Sequence, residues 1–549
     1  MNNPFTVSGM IVDIRKNRIF PGILTVENGK ISAIRESEQS RVEAQYILPG
    51  LIDAHVHIES SMLLPSEFAR IAVKHGTIGT VSDPHEIANV LGKQGVEFMI
   101  KNGEKTPFKF YFGAPSCVPA TPFETSGAEI NLEQIEELLQ HPKIKYLAEM
   151  MNFPGVLKQD KQVMEKLRAA KKHNKPADGH APGLKGEKAA EYCRAGITTD
   201  HECSTLQEAR DKIKAGMKIQ IREGSAAKNY ETLIPLLHDF PGQIMFCSDD
   251  KHPDDLVQGH MNTLVKRTLE KGYDLITALK PCSSTPADHY KLQVGMLQIN
   301  DPADFIIIDN PENFRILKTF INGTLLAENG NSFLPTQKEE TPNRFVTNRL
   351  SVKDIEVDAA PGKLRVIDVT DGALITGQML TEPTVKNGKI ISDPERDILK
   401  IVVLNRYQPS KPALGFIHNT GLKKGAMIST VAHDSHNIIA VGLEDEMIIE
   451  AIERVSATKG GIGYLNKNER LFLPLPVAGI MSNMNAQQVA KAYTQIDRLA
   501  KKNGTKLTAP FMTLSFMALL VIPSLKISDK GLFDANRFAF IDLLATPQG

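Results

Sequence analysis

A chain of 549 residues is too long for one hydrophobic core and implies two to four domains. Lysine plus arginine balance aspartate plus glutamate at 64 each and tryptophan is absent, so neither net charge nor a basic, aromatic-interleaved surface marks a nucleic-acid binder; a small neutral substrate suits this composition better. The five cysteines (Cys117, Cys193, Cys203, Cys247, Cys282) are odd in number and form no C-x-x-C pair, which points to free thiols and a cytoplasmic location.

In chain order, the N-terminus lacks the basic start, apolar stretch and cleavage site of a secretory signal. Residues 1–48 read as a small β module, with Thr6 to Arg15, Ile23 to Glu27 and Lys30 to Ile34 rich in Val and Ile and separated by Pro-Gly and Asn-Gly turns. Residues 301–337 repeat that style, with strands at Ala303 to Asp309 and Ile316 to Gly323. The two stretches are expected to form one small β-sandwich although a whole domain separates them.

Across residues 49–300 the bursts TIGTVSDP, KFYFGAPS, IKYLAEMMN, KPADGHAP, GITTDHEC, MKIQIREG and QIMFCSDD alternate with charged amphipathic helices. That span matches the roughly 250 residues of a (β/α)8 TIM-like barrel, and each burst ends in polar residues, as the reactive rim of such a barrel requires. The polar, proline-containing stretch from Lys338 to Arg349 reads as a linker, and residues 350–549 as a C-terminal mixed α/β domain. The longest uncharged run, Leu507 to Leu525, contains Pro510 and Pro523, which leave about a dozen apolar residues between them. That is too short for a membrane span and predicts a buried segment.

The strongest chemical signal is Leu48-Pro-Gly-Leu-Ile-Asp53-Ala-His55-Val-His57, where the period of two along a strand sends Asp53, His55 and His57 to one side. Neutral imidazole is the commonest protein metal ligand, and two from one strand end make half a site. Later strand ends add Glu149, His180, His201 and Asp249. Alone, each carboxylate reads as a helix cap or surface group; in this order the six side chains can hold two divalent metals.

The segments PGLIDAHVHIESSMLLPSEFAR, DPHEIANVLG, AEMMNFPGV, DGHAPGL, DHEC, IREGSAAKN and CSDDKHPDD resemble the successive motifs of the adenine deaminase family, within the amidohydrolase superfamily of metallo-dependent hydrolases. STVAHDSHNIIAVG (Ser429 to Gly442) and LPLPVAGIMS (Leu473 to Ser482) resemble that family's C-terminal domain, which most other amidohydrolases lack. One departure is the segment after the eighth strand, where Ser284-Thr285-Pro286-Ala287 and Met296-Leu297-Gln298-Ile299 replace the family's usual stretches. The resemblance implies hydrolysis of adenine to hypoxanthine and ammonia by a homodimer carrying two divalent metals per subunit, Mn or Fe with Zn admissible. The implied ligands are His55, His57, Glu149, His180, His201 and Asp249, with Glu149 in the place of the carboxylated lysine of many relatives.

Attack on carbon 6 needs a strong nucleophile, and a metal lowers the pKa of bound water to about 7. Asp249 is expected to take the proton and pass it to the departing ammonia. Glu86 in DPHE and Glu202 beside His201 are both candidates for protonating the ring nitrogen, although a helix-cap or ion-pair role explains either equally well. Arg222, Glu223 and Ser225 are candidate contacts to the purine edge, with a surface ion pair as the alternative reading. His85, His433 and His436 are further substrate-binding candidates; the AHDSHN cluster, with Asp434 and Asn437, either closes the active site or binds another metal. Two other readings are an amidohydrolase acting on an N6-substituted adenine or a cyclic amide, and a non-catalytic scaffold, which would usually have lost ligands. A nucleic-acid-editing deaminase is disfavoured because Pro281-Cys282-Ser283-Ser284-Thr285 lacks the second cysteine of P-C-x-x-C.

Overall fold

Eight parallel strands close into a barrel in the computed structural model, which describes residues 4–37, 45–337 and 339–545. Residues 1–3 and 38–44 of the N-terminal module, Lys338 at the head of the expected linker and residues 546–549 lie outside the described residues. The barrel strands are β1 (Leu51–Val56), β2 (Thr77–Ser82), β3 (Lys109–Ala114), β4 (Ile144–Met150), β5 (Ala177–Gly179), β6 (Thr199–Asp200), β7 (Lys218–Arg222) and β8 (Ile244–Cys247). β1 to β5 pair in sequence, as do β6 to β8. A parallel bridge between Ala177 and Ile197 joins the two groups. The ring closes where Asp249 N donates to His55 O (2.9 Å) and His57 N to Asp249 O (3.2 Å).

Parallel pairing demands a crossover after each strand, and local sequence supplies it. Leu132–Gln140, for example, starts at Asn131, whose side chain accepts from Gln134 N while the Gln134 side chain accepts from Asn131 N. It buries Ile135, Leu138 and Leu139, one stripe at helical spacing, against the barrel. Every burst named from the sequence contains a strand, although GITTDHEC contributes only Thr199–Asp200.

The flanking modules merge into one eight-stranded sheet. Tyr46–Pro49 is its hinge, pairing in parallel with Phe5–Asp13 on one edge and antiparallel with Phe305–Ile308 on the other. The sheet curls into a small sandwich, so that Phe5 stacks on Phe320 with ring centroids 5.7 Å apart and Ala303 N donates to Gly29 O (2.9 Å).

The C-terminal region is built on a mostly antiparallel sheet whose central strand, Ile398–Leu404, lies between Ala413–His418 and Ile438–Gly442. Both faces are buried, and the period of two divides them. Val402, Leu404, Ile438 and Ala440 pack on helix Asp445–Ala457, whereas Ile401, Val403, Ile439 and Val441 belong to one apolar cluster continuous with the barrel. The predicted linker is a pinned connector: Val346 N donates to Arg406 O (2.7 Å), Ala478 N to Pro342 O (2.7 Å) and Asn343 Nδ2 to Pro476 O (3.0 Å). The uncharged run folds as the short helix Pro510–Ser515 and a buried turn, and no helix among the described residues is long and apolar enough to cross a membrane.

Candidate metal centre

At the C-terminal mouth of the barrel the six predicted ligands meet, all buried. Asp53 anchors the first pair by accepting from His260 Nε2 (2.8 Å) and Ser248 N (3.0 Å), which ties β1 to the end of β8. His55 Nε2 and His57 Nε2 then stand 3.2 Å apart. Asp249 Oδ1 lies 3.5 Å from the first and 3.1 Å from the second. Asp249 reaches this point from a left-handed backbone (φ 53°), a conformation aspartate tolerates better than most residues.

Glu149 occupies the centre. Its Oε1 lies 3.3 Å from His57 Nε2 and its Oε2 lies 2.7 Å from His180 Nδ1 and 3.2 Å from His201 Nε2, so one carboxylate spans both halves of the histidine set. His57 Nδ1 faces the carbonyl of Asp83 at 3.2 Å; a carbonyl only accepts, so the ring proton sits on Nδ1 and Nε2 presents a lone pair. In the neutral ring that lone pair faces carboxylate oxygens of Glu149 and Asp249 at 3.3 and 3.1 Å, contacts that repel unless a proton or a metal cation lies between them. Imidazole nitrogens plus carboxylates suit a divalent transition metal. Several His/Asp/Glu groups here could hold one, including His55–His57–Asp249 and His55–Glu149–His201.

The electrostatics agree. Burial penalises the Glu149 carboxylate, yet His180 and His201 outweigh it and hold the group well below its usual range. Burial likewise opposes the charge on Asp249, but Arg222, then His55 and His57, hold it well down. Against the cost of its own burial, His201 is pushed up to about 9 by Glu149. This is a pocket tuned to positive charge.

The remaining candidates divide. Arg222, at the end of β7, donates from Nη1 to Asp249 Oδ2 (2.8 Å) and grips Glu202 with both Nη atoms, leaving only its buried Nε without a partner. It lines the cavity as a clamp on two carboxylates. Glu202 lies 3.6 Å from His201 Nε2 and 3.8 Å from His180 Nδ1. Glu223 and Ser225 do not join them. The Glu223 carboxylate turns outward to Arg267 (2.8 Å), and the Ser225 hydroxyl binds Asp255 while accepting from His252 N (2.9 Å). For Glu223 the reason is the pleat: at the end of β7 adjacent side chains face opposite sides, and Arg222 takes the inward one.

Opposite the six predicted ligands stands a second group. Glu86, at the start of helix His85–Leu91, is gripped by His433 Nδ1 on Oε1 and by His436 Nε2 on Oε2, both from the C-terminal domain. His85 bridges the two groups, with Nδ1 3.4 Å from Glu149 Oε1 and Nε2 3.4 Å from Glu86 Oε1. Burial opposes protonation of His433, but Glu86 and Asp250 raise it to about 9. Sequence reading missed Asp83, which lies with His57, His85 and Glu149 in one group able to hold a metal, and it missed Asp250 and the apolar cavity wall of Met151, Leu374, Phe516 and Leu519. Asp83 in DPHE and the second aspartate of the 249–250 doublet were visible as motif members; the apolar wall gave no local signal. A larger cleft of about 620 Å³ runs outward between barrel and C-terminal domain, sharing Met151, Glu202, Arg222 and Leu374 with the candidate metal cavity. Its size falls within the usual range for small-molecule sites.

A closed parallel barrel with these donors at its C-terminal rim defines a hydrolase of the amidohydrolase class. The amidohydrolase family model matches residues 46–326, and the model of the adenine deaminase C-terminal domain matches residues 373–539. The chain belongs to the adenine deaminase family. It is 52% identical over 550 residues to the adenine deaminase of Methanosarcina mazei, covering 98% of this chain and 99% of that protein. It is 49% identical to the enzyme of Salinibacter ruber (98% of each chain) and 45% identical to that of Borreliella burgdorferi (98% of this chain, 99% of the other).

Proposed function

We propose that this chain deaminates adenine hydrolytically to hypoxanthine and ammonia, using two divalent cations, Mn or Fe, held by His55, His57, Glu149, His180, His201 and Asp249. The observation that carries the reading is the pairing of two carboxylate systems across one small cavity. Asp249 faces His55 and His57 on one side, and Glu86 is clamped by His433 and His436 on the other. Hydrolysing a cyclic amidine needs both a base for water and an acid for the ring nitrogen, and this arrangement offers one of each. The cations would supply the nucleophile by lowering the pKa of water.

Asp249, kept ionised by Arg222, accepts the proton of the attacking water and returns it to the leaving amine. For the ring nitrogen, geometry favours Glu86 over Glu202. Glu202 is locked as an anion on Arg222, whereas the Glu86–His433 pair holds a proton at neutral pH that it can deliver. Met151, Leu374, Phe516 and Leu519 offer an apolar wall for the purine and would exclude water from the reacting face. Five free cysteines suit a cytoplasmic enzyme.

The test is ammonia release by purified, metal-assayed protein across adenine, N6-methyladenine, cytosine, guanine and dihydroorotate. The reading requires adenine to give the highest kcat/KM and about two metals per chain. Faster turnover of dihydroorotate or N6-methyladenine, or full activity in metal-free protein, would reject it.

A further inference from the structure

We infer that Lys526 is a positioning residue for the substrate cavity, because its side-chain nitrogen ties together the two segments that carry the cavity wall, at Leu374 and at Phe516. Lys526 lies on the strand Leu525–Ser528 with none of its surface exposed. A buried lysine ordinarily needs a carboxylate. Here it takes two main-chain carbonyls instead: Nζ donates to Leu374 O at 2.7 Å and to Phe516 O at 3.0 Å. Burial alone lowers its pKa, to about 7, and no charged group among the described residues offsets that burial. Both the ammonium and the neutral amine carry at least two N–H bonds, so either form serves both carbonyls.

The owners of those carbonyls are not arbitrary. Leu374 and Phe516 both face the metal cavity, and Leu374 also lines the outer cleft. Neither segment lies inside a long element: Phe516 caps the six-residue helix Pro510–Ser515, its N–H reaching Met512 O, and Leu374 lies outside any helix or strand. Leu374 sits in the connection before the strand Gly377–Thr381, and Phe516 opens the three-residue turn Phe516–Ala518. The Phe516 carbonyl also accepts from Leu519 N (3.2 Å), so the lysine contact steadies a third wall residue. Thr376 adds a local seam, donating from Oγ1 to Leu525 O (2.8 Å) and from N to Pro523 O (3.1 Å), but it does not reach Phe516. Lys526 bonds to both segments. Held rigid, the wall is already shaped to receive the purine; loosened, it must be ordered on binding, which weakens ground-state and transition-state binding alike.

The inference rests on the reading of this cavity as the purine site, and the experiment separates the two. Lys526→Met keeps the apolar stem and removes the donors. In metal-loaded full-length enzyme it should raise KM for adenine about tenfold while changing kcat less than about threefold and leaving metal content at the wild-type value. Hydrogen exchange should quicken at amides 372–376 and 516–519 and stay unchanged around His55 and His57. Lys526→Gln, shorter and with a single amide donor group, should fall between wild type and Lys526→Met; it is read in the same way if the methionine variant does not fold. A KM within about twofold of wild type with unaltered exchange would overturn the inference, and so would loss of metal in step with activity, which marks a merely structural lysine. If wild-type enzyme fails to turn over adenine, the proposed function fails, while the exchange data still decide the role of Lys526.

Discussion

Glu86→Gln is the sharpest test of the second carboxylate system. The Glu86 side chain is nearly inaccessible and both its oxygens are engaged. The His436 tautomer is fixed, because the Ala432 N–H donates to Nδ1 (3.2 Å) and leaves the ring proton on Nε2. A glutamine would therefore give its oxygen to His436 and turn its NH2 towards His433 Nδ1, which must lose its proton to accept. Hydrogen bonds to a charged group contribute about 1.5–3 kcal/mol each against about 1 kcal/mol for neutral ones, so the two contacts together weaken by about 1–4 kcal/mol. The same change removes the proton the pair would deliver, which predicts a fall in kcat of about 10²–10⁴. Among the described residues Glu86 forms no ion pair with any of the six proposed ligands, so metal content should hold. The assay is kcat for adenine at neutral pH, with metal analysis and urea unfolding on the same preparation. Activity within about tenfold of wild type at full metal occupancy would refute the role given to Glu86.

The same pair predicts a pH window. His433 is raised from 6.5 to about 9, so its contribution to stability is complete below pH 6.5 and is lost as pH rises through 9; the shift corresponds to about 3 kcal/mol. The stability gap between wild type and Glu86→Gln should accordingly narrow between pH 6.5 and 9, as read from urea midpoints at the two ends. Stripping metal with a chelator should lower the melting temperature, since a cation present at a thousandfold its dissociation constant adds about 4 kcal/mol, and Mn²⁺ should restore it; an unchanged melt would argue against ions among these donors. Glu223→Ala and Ser225→Ala should keep kcat/KM within about twofold of wild type, with Ser225→Ala losing about 1 kcal/mol of stability through its bonds to Asp255 and His252. A tenfold rise in KM for either would return it to the substrate site.

Much of the site was legible in the sequence because strands and barrels impose short rules. A period of two put His55 and His57 on one side of β1, and barrel order carried Glu149, His180, His201 and Asp249 to successive strand ends at one rim. The same alternation at the end of β7 explains why Arg222 points in and Glu223 out, but which of the two faces the cavity depends on strand tilt, which residue types do not encode. The grip of His433 and His436 on Glu86 joins residues 347 and 350 positions apart. It exists because one apolar face of the C-terminal sheet packs against the barrel in a single orientation. Local sequence determined which side chains were able to bind metal. The docking of two apolar surfaces decided what stands opposite them, because that arrangement minimises exposed area over the whole molecule and leaves no trace in any one segment.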